Sequence, residues 1–221
     1  MDDFARVFAA AGLDVSRRAL DRGYAASGAY LGRLWRECRD VPVQRHVGAI
    51  LAGTDPDLPR RVPRPVMAEL VDAYVRPALL VPPAVDPGAR GTLDALAGRG
   101  YVLAVVSNTM RTPGAIVRTL LDRYGLLGFF KHTTFSDEVG IRKPAPEIFA
   151  QTLRAVGGDP ATAVHVGDDA VLDVTGARAA GMRVIQVRST PARSTADAVI
   201  PGLGELVPAI ERLAAGSPRA R

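Results

Sequence analysis

The spacing of apolar positions changes near residue 90. Before that point Phe4, Val7, Phe8 and Ala11 recur at helical intervals, and Leu31, Leu34, Trp35 and Cys38 do so again. Residues 3–80 therefore predict helices. Residues 54–65 are rich in proline and arginine and predict a loop or a helix–helix connection. Residues 66–74 predict a further helix. Pro77, Pro82, Pro83 and Pro87 then break the periodicity, and this proline-rich stretch marks a domain boundary.

Beyond it, strand and helix alternate. Residues 90–98 predict a helix closed by glycine. Residues 101–106 are a continuous β-rich run, as in a strand buried on both faces. A helix over 112–124, which Gly125 can cap, precedes a short strand over 132–136. A helix over 144–156 follows, with Pro146 in its first turn. Strands over 163–166 and 183–187 flank a helix over 169–180. Residues 198–200 predict a last short strand and 203–213 a final helix. This order predicts the α/β class, with a parallel sheet and right-handed crossovers. Ligands of such sheets bind at the carboxyl ends of the strands. The expected organisation is a helical domain over 1–85, an α/β domain over 86–215 and a flexible tail over 216–221.

Composition narrows the class. The 221 residues are 48% hydrophobic and 23% charged, the balance of a folded globular chain. Cys38 is the only cysteine, so no internal disulfide forms. No apolar run approaches the ~18 residues of a membrane span, and Asp2 and Asp3 stand where a signal peptide carries positive charge. The expected location is the cytoplasm. Net charge is +5, yet only Lys131 and Lys143 among the 28 basic residues are lysines, a bias usual for GC-rich genomes. The arginines are scattered and no aromatics interleave them. That is a solvated basic surface rather than a nucleic-acid reader. Neither nucleic acid nor membrane is an expected partner.

Three segments carry candidate chemistry. In Val105-Val106-Ser107-Asn108-Thr109 a hydroxyl directly follows a predicted strand. There it can hold a phosphate oxygen together with the next backbone N–H groups, or the residues form an ordinary turn and helix cap. In the run from Gly140 to Phe149, Lys143 precedes Pro144 and is pushed towards extended backbone. A compact ammonium in an arginine-rich chain suits a point contact to phosphate or to an aspartate; otherwise it is a surface loop lysine. In Val164-His165-Val166-Gly167-Asp168-Asp169 a strand runs into two carboxylates, with a third at Asp173. Such carboxylates suit Mg²⁺, which takes one or two of them plus water and substrate phosphate. Asp168 or Asp169 can instead cap the following helix. His165 reads as a core histidine inside a strand, and His46, His132 and His165 form no ligand set. Trp35, Arg22, Arg33 and Arg36 read as a core indole and surface charges, or else as groups facing a substrate.

In this order and strand context, the three segments resemble the motifs of the haloacid dehalogenase-like hydrolase superfamily. Ser107 resembles its second motif, Lys143 its third, and Gly167-Asp168-Asp169 with Asp173 its fourth. The runs from Phe135 to Gly140, Lys143-Pro144, Ile148-Phe149 and Asp173 to Met182 are similar to it as well. The resemblance covers residues 90–215 and implies a Rossmann-like parallel-sheet core with a helical cap over 1–85. It implies a Mg²⁺-dependent phosphatase acting on a small phosphorylated metabolite through an aspartyl-phosphate. On that pattern Ser107 and Lys143 are catalytic and hold the phosphoryl group with Asn108. Asp168 and Asp169 hold Mg²⁺, and Asp173 orients Lys143 or the metal shell. The cap closes over the site and chooses the substrate, in a monomer or homodimer.

The family's first motif, an apolar strand ending in Asp-x-Asp that supplies the nucleophile, has no counterpart here. Asp2-Asp3-Phe4 has the wrong spacing, Asp14 and Asp21 lie in helical sequence, and Asp86 lacks a strand. That first strand is central in the family. The strands ending at Ser107 and Gly167 are therefore expected to pair with each other or to recruit another segment. The expectation is that Met1 is not the natural start and that the nucleophile lies upstream. The alternative is a catalytically inactive binding or regulatory protein. A 2-haloacid dehalogenase, which needs no metal and does not keep this acidic loop, is a lesser expectation, as is a sugar-phosphate mutase, which shares the same loops.

Overall fold

The structure is a computed structural model and describes residues 1–109, 111–190 and 193–215. The predicted tail over 216–221 lies outside the described residues. In chain order the elements are α1 (Asp2–Ala10), α2 (Arg17–Arg36), α3 (Val43–Thr54), α4 (Leu58–Arg61), α5 (Arg64–Leu80), α6 (Ala89–Gly98), β1 (Leu103–Ser107), α7 (Gly114–Arg123), β2 (Phe130–Phe135), α8 (Ser136–Val139), α9 (Pro146–Val156), β3 (Val164–Gly167), α10 (Gly176–Ala179), β4 (Arg183–Val187), β5 (Ala198–Ile200) and α11 (Leu206–Ala215). They form two compact units. One comprises residues 1–83, 108–120 and 135–142; the other comprises 84–107, 121–134 and 143–221. The stretches 108–120 and 135–142, which fall inside the predicted α/β domain, group with the helices.

The first unit is a helical body. Ser16 caps α2 by accepting the Ala19 N–H at 3.3 Å, which satisfies a first-turn donor. Phe4, Phe8, Leu20, Val47, Ile50, Leu51, Leu58 and Leu70 are all but sealed from water and form one core. Each contributes about 1.5–3 kcal/mol by burial. Gly23 lets α2 press onto α3, because a Cβ there would lie 2.1 Å from Thr54 Oγ1 and 2.4 Å from the Ile50 carbonyl oxygen. Helix α4 occupies part of the predicted loop. Helix α5 continues through Pro77 to Leu80, beyond the point where the prolines predicted a break. Pro77 falls in the last turn, so the hydrogen bond it removes is lost close to an end that has few left to make.

In the second unit, β3, β4 and β5 form a parallel sheet, with Val164 opposite Arg183 and Ile185 opposite Ala198. Leu96, Ile185, Ile200, Leu206, Ala209 and Ile210 form the core between this sheet and helices α6 and α11. Strands β1 and β2 form a separate two-stranded sheet. The strands ending at Ser107 and Gly167 thus do not pair with each other, and no described segment joins them, contrary to expectation. Strand β1 shows the consequence. All five of its residues are only half-buried, because a strand with one ladder partner keeps its other edge open. The predicted helix over 169–180 also divides. Residues Ala170–Thr175 form a π turn before α10, in which the Val174 N–H reaches back five residues to the Asp169 carbonyl at 3.1 Å. Such wide turns recur at functional sites.

Candidate active site

The side chains of the second unit converge on Asp173. It stands in the π turn and is 3% exposed. Its Oδ1 accepts from Lys143 Nζ at 2.6 Å and from His165 Nε2 at 2.8 Å; its Oδ2 accepts the Asp169 N–H at 3.0 Å. Burial alone would push this carboxyl up. The His165 bond, the Lys143 charge and bond, and the Asp169 N–H outweigh it and hold the group well below the usual carboxylate range. The approach depends on Gly167, where a Cβ would stand 2.3 Å from Asp173 Cγ. His165 is therefore a core histidine with a specific partner, and its ring is also packed edge-on against Phe149 at 5.0 Å.

The other predicted residues are placed by their elements. Ser107 ends β1 and is half-buried. Helix α9, which follows the Lys143 loop, lies against β1. Asp168 and Asp169 follow β3 directly and are exposed. Asp169 Oδ1 accepts the N–H groups of Val171 and Leu172, each at 2.8 Å, so this carboxylate does cap the following turn. The Asp168 backbone carbonyl accepts from Gln186 Nε2 at 2.8 Å, which leaves its side chain at the surface. Asp86 closes a turn, accepting from Gly88 at 2.7 Å and Leu203 at 3.2 Å. Among the described residues no group of three or more His, Cys, Asp or Glu side chains gathers as a ready-made metal cage. Asp168 and the remaining oxygen of Asp169 suit only a cation content with few protein ligands and several waters, which describes Mg²⁺.

Asn108 belongs to the first unit, where its neighbour Thr109 enters a buried polar network that sequence reasoning missed. The Thr109 N–H donates to Ser136 Oγ at 2.8 Å and the Thr109 hydroxyl to Asp137 Oδ1 at 2.7 Å. The Ser136 hydroxyl donates to Asp40 Oδ2 at 2.6 Å, an oxygen that also accepts from Arg142 Nη1 at 3.2 Å. Arg39 and Ile141 form an antiparallel bridge beside it. Burial pushes the Asp40 carboxyl up, but the His46 ring nitrogen 3.5 Å away, bonds from Ser136 and the Val41 N–H and the charge of Arg142 bring it below the usual range. An Asp-x-Asp spacing also occurs at Asp55 and Asp57. It follows helix α3 rather than a strand, and the two carboxylates pair with Arg61 at 3.3 Å and Arg60 at 3.2 Å.

A buried loop lysine is thus locked to a carboxylate beside a Gly-Asp-Asp turn that follows a strand of a parallel sheet. The family model for haloacid dehalogenase-like hydrolase matches residues 5–181, and the chain belongs to that family. It is 36% identical over 138 residues to haloacid dehalogenase-like hydrolase domain-containing protein 3 of Mus musculus, covering 59% of this chain and 53% of that one. It is 34% identical over 167 residues to a glyceraldehyde 3-phosphate phosphatase of Methanopyrus kandleri, covering 70% and 66%. The chain thus spans about half to two thirds of these relatives. Among solved structures, a HAD phosphatase from Thermococcus onnurineus aligns with a TM-score of 0.55 at 27% identity, over 99% of this chain and 93% of that one. Among the described residues, no helix is long and apolar enough to cross a membrane.

Proposed function

We propose that this chain carries the phosphate- and metal-holding loops of a Mg²⁺-dependent phosphatase that acts on a small phosphorylated metabolite. The observation that carries the reading is the buried Lys143–Asp173 pair at 2.6 Å, next to the exposed carboxylates of Asp168 and Asp169. A fixed ammonium stabilises charge on a transferring phosphoryl group without reorganising when the charge develops. Asp173 supplies that fixity, held in turn by His165 and the Asp169 N–H. Ser107 and the backbone beside it hold a phosphoryl oxygen. Held by Asp168 and Asp169, Mg²⁺ would offset the charge between an attacking oxygen and the phosphate. The phosphatases among the relatives support a phosphomonoester as substrate.

The attacking carboxylate belongs, in this reading, to polypeptide outside these 221 residues, paired along the open edge of β1. It would displace the substrate's alcohol from phosphorus, and water would then release phosphate. Among the described residues no strand ends in Asp-x-Asp, which favours a second reading, a protein that binds phosphate without turning it over.

The test is phosphate release by the protein isolated from its own cells, with glyceraldehyde 3-phosphate and phosphoserine among the substrates. The phosphatase reading expects release that EDTA abolishes and that Lys143→Met lowers about 100-fold or more. Absence of turnover with retained phosphate binding would establish the binding reading. Halide release from a 2-haloacid without metal would overturn both.

A further inference from the structure

Three arginines of the first unit stack on aromatic rings, and among the described residues two of them have an anion; Arg118, 4.8 Å over the Phe135 ring, pairs with Glu138 at 2.6 Å. Arg142 lies 4.3 Å over the Trp35 ring and also pairs with Asp40. It is 5% exposed and its charge is answered. Arg111 lies 4.5 Å over the Tyr24 ring, a cation–π distance. Stacking occupies the face of the guanidinium and leaves its edge, a planar fork of N–H donors suited to a carboxylate. No carboxylate among the described residues pairs with Arg111.

Tyr24, Gly28, Leu31, Trp35, Tyr74 and Arg111 line a cavity of about 320 Å³. That is the lower end of ligand-site volumes, room for a ring and its substituent. The walls are built rather than accidental. Trp35 is held by Arg142, and Tyr74 is held between Phe4 at 6.5 Å and His46 at 6.4 Å. Burial pushes the Tyr74 phenol up to about 12, so it remains a neutral wall. At Gly28 a Cβ would meet nothing within 4 Å. This helical glycine is required by no contact, and it leaves open the space a side chain would fill.

We propose that this cavity is a binding site for a small aromatic anion, its ring among Tyr24, Trp35 and Tyr74 and its charge on Arg111. The proposal does not depend on the phosphatase reading, because the probe that tests it carries no phosphate.

Trp35 is the only tryptophan of the chain, so its fluorescence reports this cavity alone. The full chain is titrated with benzoate, with acetate as the ringless anion and benzyl alcohol as the uncharged ring. The expected result is a saturable change with benzoate, Kd on the order of 1 mM, and none with acetate. Arg111→Gln, at an exposed position, weakens benzoate roughly tenfold and leaves benzyl alcohol unchanged. Gly28→Leu fills the cavity and abolishes the benzoate response while the helical circular dichroism is retained. A titration of wild type that shows no saturable change overturns the proposal. So does an equal benzoate affinity in wild type and Arg111→Gln, which needs no folding of the filled variant.

Discussion

Lys143 Nζ stands 2.6 Å from Asp173 Oδ1, with the lysine side chain 12% and the aspartate side chain 4% exposed. A charge pair this far from water holds each partner's ionic form only while the other is present. The lysine is thus fixed in place by a residue 30 positions later in the chain. Asp173→Asn removes the countercharge and leaves an ammonium among neutral groups. We expect a loss of about 3 kcal/mol, read as a shifted midpoint in urea unfolding at neutral pH.

The same pair sets an acid limit. Asp173 and Asp40 both have carboxyl groups held below their ordinary range. The unfolded chain therefore takes up protons at a higher pH than the folded one, near pH 4. Their contribution is complete above that pH and is lost as pH falls further. Unfolding midpoints should be level from pH 7 to about 5 and drop below about 4. In Asp173→Asn the drop should be shallower.

Ser136 links two parts of the first unit that lie 96 residues apart in sequence, donating to Asp40 and accepting from Thr109. Ser136→Ala leaves the Thr109 N–H and one Asp40 oxygen buried without this partner. The expected cost is about 1–3 kcal/mol. A double-mutant cycle with Thr109→Val should show coupling, because the two side chains belong to one network.

That network was not legible in the sequence, for a physical reason. Asp40, Ser136 and Arg142 meet only through the fold, and nothing in their local spacing sets them apart from surface polar residues. Lys143 was legible because the proline after it restricts its backbone, and Asp173 because a strand runs into the acidic turn just before it. Their partner His165 was visible only as a buried position in a strand, and its bond to Asp173 required coordinates. The five strands among the described residues were readable in the sequence, but their pairing was not. The division into β1–β2 and β3–β4–β5 depends on contacts that no run encodes. The π turn was read as an ordinary helix because 3.6-residue spacing and the wider turn share most apolar positions.

Asp169 serves as a cap, and the metal reading asks more of it. Asp169→Asn keeps an acceptor for the Val171 and Leu172 N–H groups and should leave stability nearly unchanged. Asp169→Ala should cost about 1 kcal/mol. If Asp169 also helps hold Mg²⁺, both variants should weaken Mg²⁺ binding in calorimetry. A cap alone predicts that Asn binds Mg²⁺ as wild type does.

The central claim is that the loops around Lys143 and Asp168 hold a phosphate group. The most direct test is a calorimetric titration of the 221-residue chain with inorganic phosphate, in the presence and absence of Mg²⁺. The account predicts saturable binding, Kd on the order of 1 mM, strengthened by Mg²⁺ and weakened at least about tenfold in Lys143→Met. Phosphate binding that neither Mg²⁺ nor the Lys143 substitution alters, or no binding at all in the folded chain, would contradict it.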